Sequence, residues 1–218
     1  MYGYPTSYKY GTGQGYPAGG GSPQIAAGAS YDWNISSITA NDGDPVSTWT
    51  DGVASLSVTG TGTTRPLYKT GITPAGSAIL RFDGTDDILT STGPINPVQH
   101  LFCVAAFRNA NATAGQSLLS TAGGYFWYAD AGPVFSQVAA WGSAYRDGVN
   151  TANIYPNGTF ALYEFQLTAT QNDILYFAND RGLATFGPWD IARFIAYPTI
   201  LSGTDLTNTR TALSNLYL

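Results

Sequence analysis

Ile79-Leu80-Arg81-Phe82-Asp83-Gly84-Thr85-Asp86-Asp87-Ile88-Leu89 is the stretch on which the reading of this chain turns. Two short apolar runs flank Asp-Gly-Thr-Asp-Asp. Aspartate favours turns by bonding to the backbone just ahead of it, and glycine by taking positive φ without a steric cost. The stretch therefore predicts two strands, over 78–83 and 87–90, joined by a tight polar turn within one antiparallel sheet.

Further runs of strand length lie to either side. Before it come Tyr31-Asp32-Trp33, where the domain proper begins, a turn at Asn41-Asp42-Gly43-Asp44-Pro45, and 46–51 with Trp49 as a core anchor. A Thr/Gly loop over 58–64 then leads to Arg65-Pro66-Leu67-Tyr68. After it, 100–108 is nearly continuously apolar, as expected of a strand buried on both faces. Strands follow over 116–120, 125–129, 134–139, 143–146, 160–168, 173–178 and 188–197. Serial short strands with frequent turns and no alternating helices read as a sandwich of two antiparallel sheets. One short helix closes the chain, capped by Ser202 or Thr204, with Leu206, Leu213 and Leu216 on one face.

Composition agrees with an all-β fold. The chain is 218 residues long, 44% hydrophobic and only 11% charged, against roughly 25% charged in an average soluble domain. Glu164 is its single glutamate, and Lys9 and Lys69 are its only lysines, so helix-forming charged residues are scarce. A net charge of −5 with scattered arginines excludes nucleic acid as a partner, because a phosphate-backbone binder needs clustered cations. No apolar run approaches the roughly 20 residues that span a bilayer, so no membrane partner is expected. Cys103, the one cysteine, sits inside an apolar strand and reads as a buried, inert thiol.

Residues 1–28 form a separate, low-complexity arm in which Tyr2, Tyr4, Tyr8, Tyr10 and Tyr16 are spaced by Gly, Pro, Ser and Thr. Such a segment cannot bury enough apolar area to offset its ordering entropy. Tyrosines suit interfaces, since each buries a rigid ring and keeps a polar tip, so the arm is expected to dock on a neighbouring subunit. The alternative is that it lies along its own domain, residues 29–218.

Asp42-Gly43-Asp44 leading to Trp49, then Arg65-Pro66-Leu67-Tyr68, Phe82-Asp83-Gly84-Thr85-Asp86-Asp87 and the 191–201 ending follow one another in a recognisable order. In that order they resemble the concanavalin A-like lectin/glucanase jelly roll, in its laminin-G-like form common in phage virion and bacterial surface proteins. The resemblance implies a two-sheet jelly-roll sandwich with one short C-terminal helix and an extended N-terminal arm. It also implies a glutamate after Ile191-Ala192; Arg193 stands there, which reads as the loss of an interaction at the rim.

Three kinds of chemistry remain to be weighed. Glycosidases with this fold carry two or three carboxylates on alternate residues of one strand, flanking the sugar bond. This chain has one glutamate and no alternating acidic pair in an interior strand, while His100 reads as a surface or capping residue with no nucleophile partner. No enzyme activity and no cofactor are expected. Calcium, which takes six to eight oxygen ligands, has candidate ligands at Asp42 with Asp44 and at Asp83, Asp86 and Asp87, although turn-stabilising bonds are the favoured reading of these carboxylates. Sugars stack on aromatic faces, and Tyr125, Trp127, Trp141 and Tyr145 are the candidate glycan contacts. Strand alternation sends Tyr125 and Trp127 to one face and Phe126 and Tyr128 to the other, leaving open which pair faces solvent.

The start at Met1-Tyr2-Gly3-Tyr4-Pro5 has no basic region followed by an apolar stretch, so no secretory signal is expected. A low-lysine, Thr/Gly/Tyr-rich chain without one fits a virion component made in the host cytoplasm. Its expected partners are other capsid or tail subunits, further copies of itself, and surface glycans. A free carbohydrate-binding module of a bacterial surface or secreted protein is the alternative.

Overall fold

Strand-length apolar runs bounded by Gly, Asp, Asn and Pro become short strands throughout. The computed structural model describes residues 22–109, 116–121, 124–128, 135–136, 142–151, 153–154, 158–179 and 185–218. In chain order the strands are β1 (Tyr31–Asn34), β2 (Thr48–Thr50), β3 (Ser57–Thr59), β4 (Leu67–Lys69), β5 (Ile79–Arg81), β6 (Leu89–Ser91), β7 (Ile95–Phe107) and β8 (Ser117–Thr121). They continue with β9 (Gly124–Tyr128), β10 (Phe135–Ser136), β11 (Gly142–Arg146), β12 (Val149–Asn150), β13 (Asn153–Ile154), β14 (Ala161–Asp173), β15 (Leu175–Phe177) and β16 (Trp189–Tyr197). Helix α1 spans Gly203–Tyr217.

Two antiparallel sheets form the sandwich. The first runs β12-β11-β14-β7-β16-β5-β4 and the second β13-β10-β9-β8-β15-β6-β3-β2. Strand β1 shares one edge of β16 with β5: β5 pairs with Asp190 and Ile191, and β1 with the run from Arg193 to Ala196. A bulge at Ala192 separates the two halves, because Ile191 faces Ala105 of β7 while Arg193 faces Val104.

Aromatic rings fill the space between the sheets. Trp33, Trp49, Phe177 and Phe194 are all fully buried, and Trp33 meets Phe177 edge-on at 6.1 Å. The two tryptophans also tie the sheets by hydrogen bonds: Trp33 Nε1 donates to Trp49 O and Trp49 Nε1 donates to Asn34 O, both at 3.1 Å. Buried indole N–H groups need such partners, and here each finds one on the opposite strand pair. Strand β7 is buried without interruption from Leu101 to Phe107, as the apolar run predicts.

Four expectations need correction. The Asp83–Asp87 turn does not close a hairpin, because β5 belongs to the first sheet and β6 to the second. Phe82 N donates to Trp189 O and Ile88 N to Thr64 O, so the two flanks pair with different strands. The turn is thus a corner that carries the chain across the sandwich. Hairpins and corners need the same turn residues, so composition cannot tell them apart. Gly84 has φ +84°, and a Cβ there would meet Pro188 Cδ at 2.9 Å, so glycine is required on both counts. Second, the 58–64 segment is not wholly loop: Val58 is fully buried in β3, facing Trp49 and Ser91. Third, Leu216 is exposed, and the buried face of α1 is Thr209, Ala212, Leu213 and Tyr217. At about 100° per residue Leu216 falls between Ala212 and Thr209 on the helix, so it is exposed in the last turn of α1 although its angle matches the buried face.

Arg193 is the fourth. It is 8% exposed and grips Asp32 with Nε at 2.9 Å and Nη2 at 2.6 Å. Burial works against its charge, but the Asp32 carboxylate outweighs that and raises its pKa. What reads as a lost rim contact is a bidentate clamp holding β1 on β16.

Residues 22–28, the end of the segment read as an arm, lie against the sandwich. Ala26 N donates to Thr209 Oγ1 at 3.0 Å and Tyr197 Oη donates to Ala26 O at 2.9 Å. Tyr2, Tyr4, Tyr8, Tyr10 and Tyr16 lie outside the described residues.

Removing one partner of a half-buried pair strands the other. Arg193→Ala is expected to cost about 3 kcal/mol in urea unfolding, with part of the loss recovered when Asp32→Ala is added. A single-variant loss under about 1 kcal/mol would mark the pair as an ordinary surface contact.

Candidate functional site

The one glutamate lies in the middle of an apolar strand, between Tyr163 and Phe165, and is 1% exposed. Alternation along β14 turns Tyr163 and Phe165 inward and Glu164 to the outer face of the first sheet, beneath α1. There it accepts four hydrogen bonds. Arg210, from α1, gives Nε to Oε2 at 2.7 Å and Nη2 to Oε1 at 2.9 Å. His100 Nε2 and Gln166 Nε2 each reach Oε1 at 2.9 Å. His100 is fully buried, not on the surface, and its Nδ1 accepts from Leu201 N at 3.0 Å. That bond leaves Nδ1 unprotonated and puts the ring proton on Nε2, aimed at the carboxylate.

Burial pushes the Glu164 carboxyl up, but the His100 and Arg210 bonds outweigh it and hold the group below the ordinary range. A general acid must keep its proton at working pH; Glu164 is arranged to lose its own. The cluster is a lock between strand, helix and the 198–202 connection. Its signal in the sequence is the lone charge in an apolar strand, which demands a partner.

The corner at 83–87 gathers the densest set of carboxylates. Oxygen atoms of Asp83, Asp86 and Asp87 lie within 4.8 Å of one another. Asp83 Oδ1 accepts from Thr85 N at 2.7 Å and Asp86 N at 3.3 Å, and Asp87 Oδ2 accepts from Asp83 N at 2.7 Å. These bonds shape the corner by themselves. Burial works to raise the Asp83 pKa, but the backbone N–H groups outweigh it and hold it low. Asp87 goes the other way: burial, then the charges of Asp83 and Asp86, push it up to about 6, against the Asp83 N–H bond.

Asp42 and Asp44 do not converge on a common point. Asp42 takes Lys69 Nζ at 2.8 Å and Thr70 N at 2.9 Å, bonds that lower its pKa. Asp44 accepts from Asn41 N at 2.8 Å and closes its own turn. Both are committed to shaping the turn that presents β4.

Of the predicted glycan contacts, Tyr125 and Trp127 lie on β9, between β8 and β10, with Phe126 facing Leu119. Trp141 lies outside the described residues. Tyr145 has one ring face covered by the Arg210 guanidinium, 5.3 Å from the centroid, so its place is beside the Glu164 lock.

No protein-family model matches the chain, and no curated protein matches its sequence. Among solved structures, a Trypanosoma rangeli sialidase in complex with 2,3-difluoro-KDN matches with 10% identity and a TM-score of 0.42. The match covers 88% of this chain and 34% of that chain, so this chain spans about a third of the sialidase's length. Likeness at that level supports no inference about fold or activity. Among the described residues, no helix is long and apolar enough to cross a membrane.

Asp87 and Glu164 give opposite pH dependences. Because the native pKa of Asp87 lies above the ordinary aspartate value of 3.8, the folded state binds that proton more tightly. Its contribution is full at low pH and lost as pH rises from 3.8 to about 6, worth about 3 kcal/mol. Glu164 contributes above 4.5 and loses its contribution as pH falls through its lowered pKa. Urea unfolding from pH 3.5 to 7 is expected to show the upper decline in the parent protein and not in Asp87→Asn. An identical profile for both removes this assignment.

Proposed function

We propose that this chain is a non-catalytic recognition protein of a virus-particle surface, a laminin-G-like relative of the concanavalin A-like jelly rolls. In this reading its Tyr/Gly-rich N-terminal segment attaches it to a capsid or tail subunit, and the sandwich is displayed outward to meet surface glycans.

One observation carries the non-catalytic part. Three carboxylates borne by strands of the first sheet, Asp32, Glu164 and Asp190, are each ion-paired with arginine. A fourth, Asp173, bonds to the N–H of Ile174 at the end of β14. A glycosidase needs one carboxyl with a raised pKa facing a second across the scissile bond. Arginine-paired carboxylates are poor acids for that work. Asp87, whose pKa is raised, lies in the corner at 83–87, where burial and the charges of Asp83 and Asp86 account for the shift.

The attachment part is supported by the way the chain reaches the sandwich. Residues 24–26 are held on the α1 side through Ala26, so whatever precedes residue 22 starts from a secured base. Five tyrosines in the first sixteen residues supply interface area at low entropic cost.

Deleting residues 2–21, while keeping the seated 22–28 segment, is expected to leave the melting temperature within about 2 °C of the parent, as for a change outside the cooperative core. The same deletion is expected to abolish incorporation into particles, read by quantitative blotting of purified virions. Undiminished incorporation would overturn the account of the segment.

A further inference from the structure

Among the described residues, the outer face of the first sheet is covered over one of its halves. Helix α1 and residues 24–26 lie over Glu164, His100 and Tyr197. The other half holds an open cleft of about 520 Å³ lined by Ile72, Pro74, Arg81, Ala106, Arg108 and Phe160, with Asp190 in its floor. None of the predicted site residues lines it.

The cleft follows from one cross-strand row. Arg81 faces Asp190, and Asp190 faces Ala106. Ala161 faces Ala105, so continuing that register sets Phe160 beside Ala106. At about 4.8 Å between strands, the row spans about 14 Å from Arg81 to Phe160. Ala106 contributes only a methyl group between larger neighbours, and that step down is the depth of the cleft.

Its charge is uneven. Asp190 takes Arg81 Nε at 2.9 Å and Arg81 Nη2 at 2.8 Å, and Arg108 Nε at 3.3 Å. Phe82 O accepts from Arg108 Nη2. Two guanidiniums thus converge on one carboxylate, with Asp42 acting on Arg81 and Asp87 on Arg108 from farther off, and among the described residues the Nη1 amino group of each arginine is left for a second anion. The guanidinium side chains are 30% and 32% exposed, against 4% for Asp190, so the cations and not the anion meet solvent.

We propose that this cleft binds an acidic saccharide. The sugar carboxylate sits on Arg81 and Arg108, and its ring lies over Ala106 between Phe160 and the Ile72–Pro74 wall. Arginine suits a planar carboxylate because its donors form a rigid fork. An aromatic ring beside the charged end gives the C–H face of a pyranose its packing partner. Asp190 holds both guanidiniums in place before the ligand arrives, which lowers the ordering cost of binding. The site is separate from the predicted aromatic contacts, and it stands or falls independently of particle attachment.

The test is calorimetric titration of the full chain with trigalacturonate, neutral galactotriose and a sulfated galactotriose. Trigalacturonate is expected to bind at least about tenfold more tightly than the neutral sugar, and to weaken as salt is raised from 50 to 500 mM. Arg108→Gln and Phe160→Ala are each expected to weaken it at least about tenfold. Ala106→Leu, which fills the floor while keeping both arginines in the chain, is expected to abolish it. Thermal melts verify that each variant is folded; should Arg108→Gln unfold, the other two decide. Equal binding of the neutral sugar, preference for the sulfated one, no binding to millimolar ligand, or full retention in Ala106→Leu would each overturn the proposal.

Discussion

A carboxylate removed from water costs several kcal/mol unless its charge and lone pairs are matched. Glu164, 1% exposed, is that constraint here. Its match comes from three directions: Gln166 along the same strand, His100 from the neighbouring strand and Arg210 from the helix. Because His100 also holds Leu201 N, the chain leaving β16 is bound into the same cluster. Helix α1 therefore cannot slide along the sheet without stranding a buried charge. Its position determines which half of the outer face is covered and which half is left as a cleft.

The two sheets are tied to each other by different means. Trp33 and Trp49 interlock across the sandwich, each donating to the other's strand pair. The corner at 83–87 then carries the chain from one sheet to the other, held by Asp83 and Asp87 accepting from its own backbone. Burial of Asp87 and then the charges of Asp83 and Asp86 beside it make its ionised form costly, and its raised pKa is the result. Turn geometry and electrostatics compete at this corner, and turn geometry prevails.

Much of this was legible in the sequence, for identifiable reasons. Trp49 and the 100–108 run announce core because large apolar residues at strand length have nowhere else to go. The corner was read as a hairpin because Asp and Gly report that the chain turns, not which strands it then pairs with. Leu216 shares the helical angle of Thr209 and Ala212 but stands in the last turn of α1, where it is exposed, and periodicity alone does not register where the cover ends. Arg81, Asp190, Ala106 and Phe160 are far apart in the chain and meet only through strand order, so no local pattern could assemble the cleft. Asp32 with Arg193 was hidden in the same way, 161 residues apart.

Strand β16 has a mechanical consequence. The chain enters the sandwich where Ser30 N bonds to Ala196 O, at the far end of β16 from Asp190. Six residues of extended strand put roughly 20 Å between that entry and the cleft. Tension between an anchored N-terminal segment and something held in the cleft would therefore run along β16, parallel to the strands. In that direction the β1–β16 hydrogen bonds and the Asp32–Arg193 clamp bear load together, in shear, instead of peeling open one at a time. A domain built this way resists being pulled apart along that line.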